Sequence, residues 1–319
     1  LLACGVLGTL ICLERAVAHG HLLALLSPLL CLMGGLALLL GLPTMLAAML
    51  IAAGSLSLLL IFGALLKRQP ARFVITMALG AAAWLVGNLL WLSGRPFALV
   101  ALWWAAFLVL TIVGERLELG RLRQLPASAL WMFTMAVALL LVGLALALFK
   151  LDLGMRVTGA CFVWLGLWLL RYDIARRTIR KMGVPRFSAI CILSGSVWLL
   201  VGGMIALTAG AVYGGPVYDA LLHAVFVGFV FAMIFGHAPI IAPALLKLPL
   251  VFSTWSYLPL VLLHAALLLR LLGDLLNMAD ARRWGGMLNA ISIMLYLLIL
   301  MATSVRFHTA AQDLVDLQL

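Results

Sequence analysis

Long apolar runs, each closed by a short polar break, fill this chain from end to end. Eleven recur: 1–13, 22–42, 44–66, 73–94, 97–114, 128–149, 157–170, 187–212, 219–246, 255–277 and 287–306. A helix needs roughly twenty apolar residues to cross the hydrocarbon of a bilayer. Most of these runs are near that length, and a spanning segment has no water to satisfy its backbone, so it must be helical. The pattern predicts an all-α, polytopic transmembrane helical bundle. Gly41 and Pro43 separate the second run from the third. Lys67, Arg68, Pro70 and Arg72 close the third, and Gly94-Arg95-Pro96 makes a tight turn between the fourth and fifth. The first run stops at Glu14-Arg15 after about thirteen residues, short of a full span. Sequence upstream of residue 1 is therefore expected.

Composition agrees. Hydrophobic residues make up 66% of the chain and charged residues 10%. The longest polar stretches, 171–186 and 277–286, are only loop-sized, so residues 1–319 read as one integral membrane domain whose partner is the lipid bilayer. Basic residues outnumber acidic ones, 21 to 10. In a soluble protein that excess would point to nucleic acid; here the basic residues sit in loops and set orientation instead. Loops after odd-numbered runs, through the ninth, carry fourteen Lys and Arg, and loops after even-numbered runs carry five. The first set, and with it the C-terminus, is expected on the cytoplasmic side. No nucleic-acid partner is expected. The five cysteines show no CxxC spacing, so neither a disulfide framework nor a cysteine metal site is indicated. Gly-rich phosphate loops, HExxH and nucleophile elbows are absent from the sequence.

One internal echo stands out. LICLERAVAHGHL (10–22) resembles TIVGERLELGRL (111–122), each an apolar helix ending in Glu-Arg before a basic loop. A weak repeat of 1–100 in 101–210 would explain it. So would a common way of ending a helix at the membrane interface.

Chemistry is to be sought in 218–274, which holds His223, His237 and His264. An imidazole in lipid is costly unless it pairs, binds a metal or lines a wet cavity. His237 lies in FGHAPIIAP, ahead of Pro239 and Pro243. Pro239 frees the carbonyl of Phe235, four residues back, and that carbonyl needs a new partner. With the turn placed between Leu246 and Trp255, His237 and His264 each lie about 13 Å from it, at matched depth. Facing imidazoles there would suit copper or another late transition metal. A haem fits poorly between helices about 8–10 Å apart, so it would use one of these histidines with a ligand from another helix. His223 follows Asp219 by one helical turn, where the two can touch. It shares nearly the same helix face as His237 but lies about 21 Å along it, so those two cannot hold one ion. Arg270 and Asp274, one turn apart, are expected to neutralise each other. Glu14-Arg15, Glu115-Arg116 and Arg171-Tyr172-Asp173 read as interfacial anchors and ion pairs. The minority reading makes them an anion site, for a haem propionate for instance.

GTLICLERAVAHG (8–20), LVLTIVGERLELGRL (108–122), LRYDIARRTIR (170–180) and LLHAVFVGFVFAMIFGHAPII (221–241) together resemble a family of uncharacterised bacterial polytopic membrane proteins. That family is similar, more distantly, to the NnrS-like membrane proteins. The resemblance implies about twelve helices, haem and copper as cofactors, and a part in resistance to nitric oxide. His223 and His237 match its pattern of a histidine opening a helix and another near its end. The upstream histidines of such a family have no counterpart here.

The expected function is a haem- or copper-binding protein of the bacterial inner membrane, in respiratory or nitrogen-oxide metabolism, as a subunit of a larger redox complex. His223, His237 and His264 are the candidate cofactor ligands, and His237 and His264 the candidate metal pair. Two other readings stay open. One is a small-solute transporter or channel with His237 as its proton-coupled group, and the other is a structural subunit without cofactor.

Overall fold

The computed structural model of the chain describes the backbone of residues 2–246 and 252–316, and the side chains of 7–18, 20–121, 124–241 and 252–303. Its helices are α1 (Leu2–His19), α2 (Leu26–Leu39), α3 (Thr44–Arg68), α4 (Arg72–Leu92), α5 (Phe97–Leu119), α6 (Ala127–Phe149), α7 (Leu151–Tyr172), α8 (Ala175–Thr178), α9 (Val184–Ala209), α10 (Pro216–His223), α11 (Ala232–Leu246), α12 (Tyr257–Leu275) and α13 (Ala279–Asp316). A π-helical segment, Ala224–Phe231, joins α10 to α11. No strand occurs among the described residues.

Ten of these stretches are long and apolar enough to cross a membrane: Leu22–Leu39, Thr44–Arg68, Arg72–Leu92, Phe97–Leu119, Ala127–Phe149, Leu151–Tyr172, Val184–Ala209, Pro216–Ile241, Thr254–Leu275 and Ala279–Thr303. They coincide with the second to eleventh apolar runs, and the first run falls on α1. The chain is an all-α, multi-pass membrane protein. Several boundaries differ from the hydropathy pattern: α1 continues six residues past its apolar run, to His19, and α5 five, to Leu119. α7 begins six residues before its apolar run, at a polar first turn where Arg156 Nε donates to Asp152 Oδ2 at 2.9 Å. Most of the polar stretch 277–286 is the opening of α13 rather than a loop. The turn before it takes Asn277 into the left-handed region at φ 56°, a conformation asparagine tolerates better than most residues.

The chain divides into two helical units. The first comprises Leu1–Pro126 and Phe133–Thr158. Its centre is α5, whose span is 89% buried, which explains a helix apolar on every face. Trp84 of α4 stacks on Phe107 of α5 with ring centroids 4.7 Å apart. A buried polar chain crosses three helices: Trp104 Nε1 donates to Asn88 Oδ1 at 3.0 Å, Asn88 Nδ2 to Ser55 Oγ at 3.1 Å, and Ser55 Oγ to the Ala52 carbonyl at 2.7 Å. Every polar atom in that chain finds a partner, as an apolar interior demands. The two halves of the sequence echo also meet here. Arg15 Nη2 of α1 pairs with Glu115 Oε1 of α5 at 2.6 Å, and with Glu14 at 3.1 Å.

The second unit comprises Ala127–Met132 and Gly159–Leu319. α9 runs through it with two small-residue faces. On one, Gly203 and Gly159 of α7 press backbone to backbone. A Cβ on Gly159 would lie 2.5 Å from Leu207 N and 2.6 Å from Gly203 O. On the other, Gly195 and Gly202 admit the π segment and α11. Small residues let backbones approach where lipid supplies no hydrophobic drive to pack. α13 lies along α12, where Ser292 Oγ donates to the Pro259 carbonyl at 2.6 Å. The candidate histidines all belong to this unit.

Candidate functional site

The run Pro216–Leu246 is continuous but not uniform. Its middle, AVFVGFVF, widens into the π segment. Trp198 of α9 stands against it: a Cβ on Gly228 would come within 2.5 Å of Trp198 Cβ and Cγ, and 2.8 Å of Leu267 Cδ2 of α12. A bulky side chain pressed into a helix at a glycine is one of the identifiable causes of such distortion, and π turns inside α-helices recur at functional sites. Periodicity does not reveal the π segment, because one apolar run reads alike in either helix.

Farther along, within the continuous helix α11, lies Pro239. The freed Phe235 carbonyl accepts a hydrogen bond from Tyr296 Oη of α13 at 2.7 Å. The Tyr296 and Phe235 rings stack with centroids 3.9 Å apart, and Tyr296 is buried. The orphan acceptor predicted from the proline is thus real, and a neighbouring helix satisfies it. Pro243 lies outside the described side chains. Phe235 shares a buried cluster with Phe187 and Cys191 of α9, Leu260 and Leu263 of α12, and Tyr296. The turn expected between the two histidine helices includes residues 247–251, which lie outside the described residues.

The three histidines have different partners. His237 Nδ1 lies 2.8 Å from the Met233 carbonyl, one turn back on its own helix. A carbonyl only accepts, so Nδ1 carries the proton, and in the neutral ring Nε2 is the nitrogen with a lone pair. His264 is the opposite case. Trp198 Nε1 donates to its Nδ1 at 2.9 Å, with the rings 22° from coplanar. Indole only donates, so the proton of a neutral His264 sits on Nε2, which is buried without a hydrogen-bond partner. While the Trp198 bond stands, that nitrogen offers a metal no lone pair. His264 directs its bond to Trp198, not to His237. His223 Nδ1 lies 2.8 Å from the Asp219 carbonyl and 3.3 Å from Asp219 Oδ1, so the expected one-turn contact is present. It thereby joins an ion pair: Arg270 Nη2 donates to Asp219 Oδ2 at 2.7 Å. Arg270 was expected to neutralise Asp274 on its own helix. The structure instead gives its direct bonds to Asp219 of α10, where one carboxylate oxygen meets two guanidinium nitrogens.

Among the described residues, no three His, Cys, Asp or Glu side chains converge as a metal-binding group. Of the charged helix ends, Arg15 and Glu115 form a largely buried ion pair and Arg116 is buried. Asp173 Oδ1 accepts the N–H of Ala175, the first residue of α8, at 2.7 Å, while the Arg171 guanidinium lies 5.3 Å from the centre of the Tyr172 ring. Two residues that shape the site carry no signal in the sequence: Tyr296, and Trp198, which composition alone would place in an interfacial tryptophan belt and which instead bonds His264. Pro239 announced a missing donor without saying which residue supplies it, and nothing in the chain marks Trp198 as the partner of His264.

No curated protein and no solved structure matches this chain. A protein-family model does, over residues 1–305. Its match takes in both helical units and all three histidines, and the chain belongs to that family, described as Domain of unknown function (DUF8744).

Proposed function

We propose that this protein is a haem-binding integral membrane protein of the bacterial inner membrane, acting in respiratory or nitrogen-oxide metabolism within a larger redox complex. The observation that carries the reading is the setting of His237. Its Nδ1–H is held by a backbone carbonyl, and the residue lies two positions before Pro239 inside a candidate membrane span. Anchoring the distal N–H on a carbonyl is the usual way a ligating histidine is oriented and made a better donor. Haem is favoured over copper because it asks the protein for one or two axial ligands, whereas a protein copper site needs several converging side chains. His237 would hold the iron through Nε2, and the bound group would supply one-electron transfer. His264 serves as the acceptor for Trp198, and His223 stays with Asp219. The fourteen-to-five loop-charge asymmetry supports a cytoplasmic C-terminus.

The test is an optical spectrum of detergent-purified protein, oxidised and then dithionite-reduced, with iron and copper quantified on the same sample. A Soret band that shifts on reduction, disappears in His237→Ala and survives in His264→Ala is the expected result. Copper without a Soret band would transfer the reading to the His237–His264 pair. Absence of both metals would sink the cofactor reading.

A second reading has its own support. The π segment departs from α-helical geometry inside one spanning run, and Pro239 leaves the Phe235 carbonyl to Tyr296; irregular helices mark the substrate sites of many transporters. Solute uptake into proteoliposomes that fails in His237→Ala would favour it.

A further inference from the structure

In the second unit the last turns of α7 lie against the first turns of α6, where Trp168 Nε1 donates to the Ala129 carbonyl at 2.9 Å. Beside that bond a groove of about 540 Å³ runs along α7. Met132 of α6 and Ala160, Trp164 and Leu167 of α7 line it, and Arg171 and Tyr172 stand at its end. From Ala160 to Tyr172 the lining covers about 18 Å of helix. One leaflet, half the hydrocarbon core, is roughly 15 Å deep. Leu167 is 55% exposed, so the groove opens onto the outside of a spanning helix, where a membrane supplies lipid.

The two parts of the groove differ in chemistry. Its walls suit hydrocarbon. Of their two indole N–H groups, that of Trp168 is spent on Ala129 and that of Trp164 is buried. Its end is basic. Arg171 is exposed, with its guanidinium 5.3 Å from the centre of the Tyr172 ring. Arg176 Nη1 reaches back to the Arg171 carbonyl at 3.4 Å, which brings a second guanidinium to the same end. Arg177, Arg180 and Lys181 follow, all exposed. The single acid of 171–181, Asp173, is buried and turned to the Ala175 N–H. An apolar groove about one leaflet long that ends at guanidinium groups matches a molecule with a hydrocarbon tail and an anionic head.

We propose that this groove is a binding site for one acidic phospholipid. An acyl chain lies along Ala160, Trp164 and Leu167, and the phosphate meets Arg171 and Arg176. Guanidinium forks match phosphate oxygens in geometry and charge, and basic clusters at the membrane face attract acidic headgroups. Trp168 and Tyr172 are placed at headgroup level, as belt aromatics are. A free anion would leave the apolar walls unused. A zwitterionic head would bring its own ammonium to an end already cationic. The site stands apart from His237 and holds with or without haem.

Native mass spectrometry of the full chain in detergent tests it, with phosphatidylglycerol, phosphatidylcholine of the same acyl chains and inorganic phosphate added separately. Phosphatidylglycerol should be retained at a concentration about tenfold lower than phosphatidylcholine, the factor one charge-assisted hydrogen bond confers. Phosphate alone should bind more weakly than either lipid. Arg171→Gln should abolish the preference for phosphatidylglycerol. Leu167→Trp, which fills the groove and leaves Arg171 in place, should weaken retention of that lipid. Both positions are exposed, so both variants are expected to fold; should Arg171→Gln not accumulate, Leu167→Trp decides. Equal retention of the two lipids overturns the proposal. So does a preference that survives Arg171→Gln, retention that survives Leu167→Trp, or phosphate that binds as tightly as phosphatidylglycerol.

Discussion

At the scale of single residues, Tyr296 offers the sharpest test. Its hydroxyl is the donor for a carbonyl that Pro239 has stripped of its helical partner. Tyr296→Phe should therefore cost about 1–3 kcal/mol, the range for leaving a buried acceptor unmade. Pro239→Ala returns an N–H to the same carbonyl, so in that background Tyr296→Phe should cost clearly less. Denaturant unfolding of the four proteins of this cycle in detergent measures the coupling. Equal costs in both backgrounds would show that the tyrosine acts through ring packing alone. Trp198 calls for a separate measurement. Trp198→Phe removes the donor to His264 Nδ1, which frees the ring to carry its proton on Nδ1. Nitrogen-15 chemical shifts of labelled histidine should show wild-type His264 as the Nε2–H form, with the Nδ1 resonance moving when Trp198→Phe removes its hydrogen bond, and an Nδ1–H form in the wild type would refute the assignment.

At the scale of elements, the helix contacts of the second unit are decided by what lies opposite each glycine. A methyl on Gly159 meets backbone, Leu207 N at 2.5 Å and Gly203 O at 2.6 Å. Backbone on a packed helix cannot step aside, so Gly159→Ala should destabilise by roughly 1–3 kcal/mol, as overpacking does. Gly35 of α2 has nothing within 4 Å of the same position. Gly35→Ala should therefore stabilise, by about 0.5–1 kcal/mol, because alanine is the better helix former. Thermal melts in detergent should move in opposite directions for the two variants. A common sign would mean that propensity, not interhelical contact, governs both sites. Composition alone cannot separate these positions, since both are glycines inside apolar runs.

At the scale of the whole molecule, the clearest long-range tie in the first unit joins residues a hundred apart. Arg15 reaches Glu115 at 2.6 Å and Glu14 at 3.1 Å. Glu115→Ala should cost more than Glu14→Ala, because it removes the shorter bond. Glu14 remains to Arg15, so the loss should stay below the roughly 3–5 kcal/mol typical of stranding a buried charge. Unfolding midpoints of the two variants check the order, and the reverse order would make Glu14 the principal partner. The echo of Glu-Arg at 14–15 and 115–116 was legible as a pattern. That the first arginine would meet the second glutamate was not, because a repeat in sequence says nothing about which copies touch.

Hydropathy by itself determined the class of this protein and the positions of its spans, because a bilayer imposes one length and one backbone solution on anything that crosses it. Local rules went somewhat further. Pro239 implied an orphan carbonyl at Phe235, and the spacing of Asp219 and His223 implied a contact one turn apart. Both depend on covalent geometry within a single helix. Tertiary structure alone decided the rest. It supplied Tyr296 to that carbonyl, turned His264 toward Trp198, gave Arg270 to Asp219 rather than to Asp274, and shut Asp274 away without a donor. Each of these depends on which helices are neighbours and how they are rotated about their axes. A run of apolar residues leaves both open, since in lipid one greasy face is as good as another.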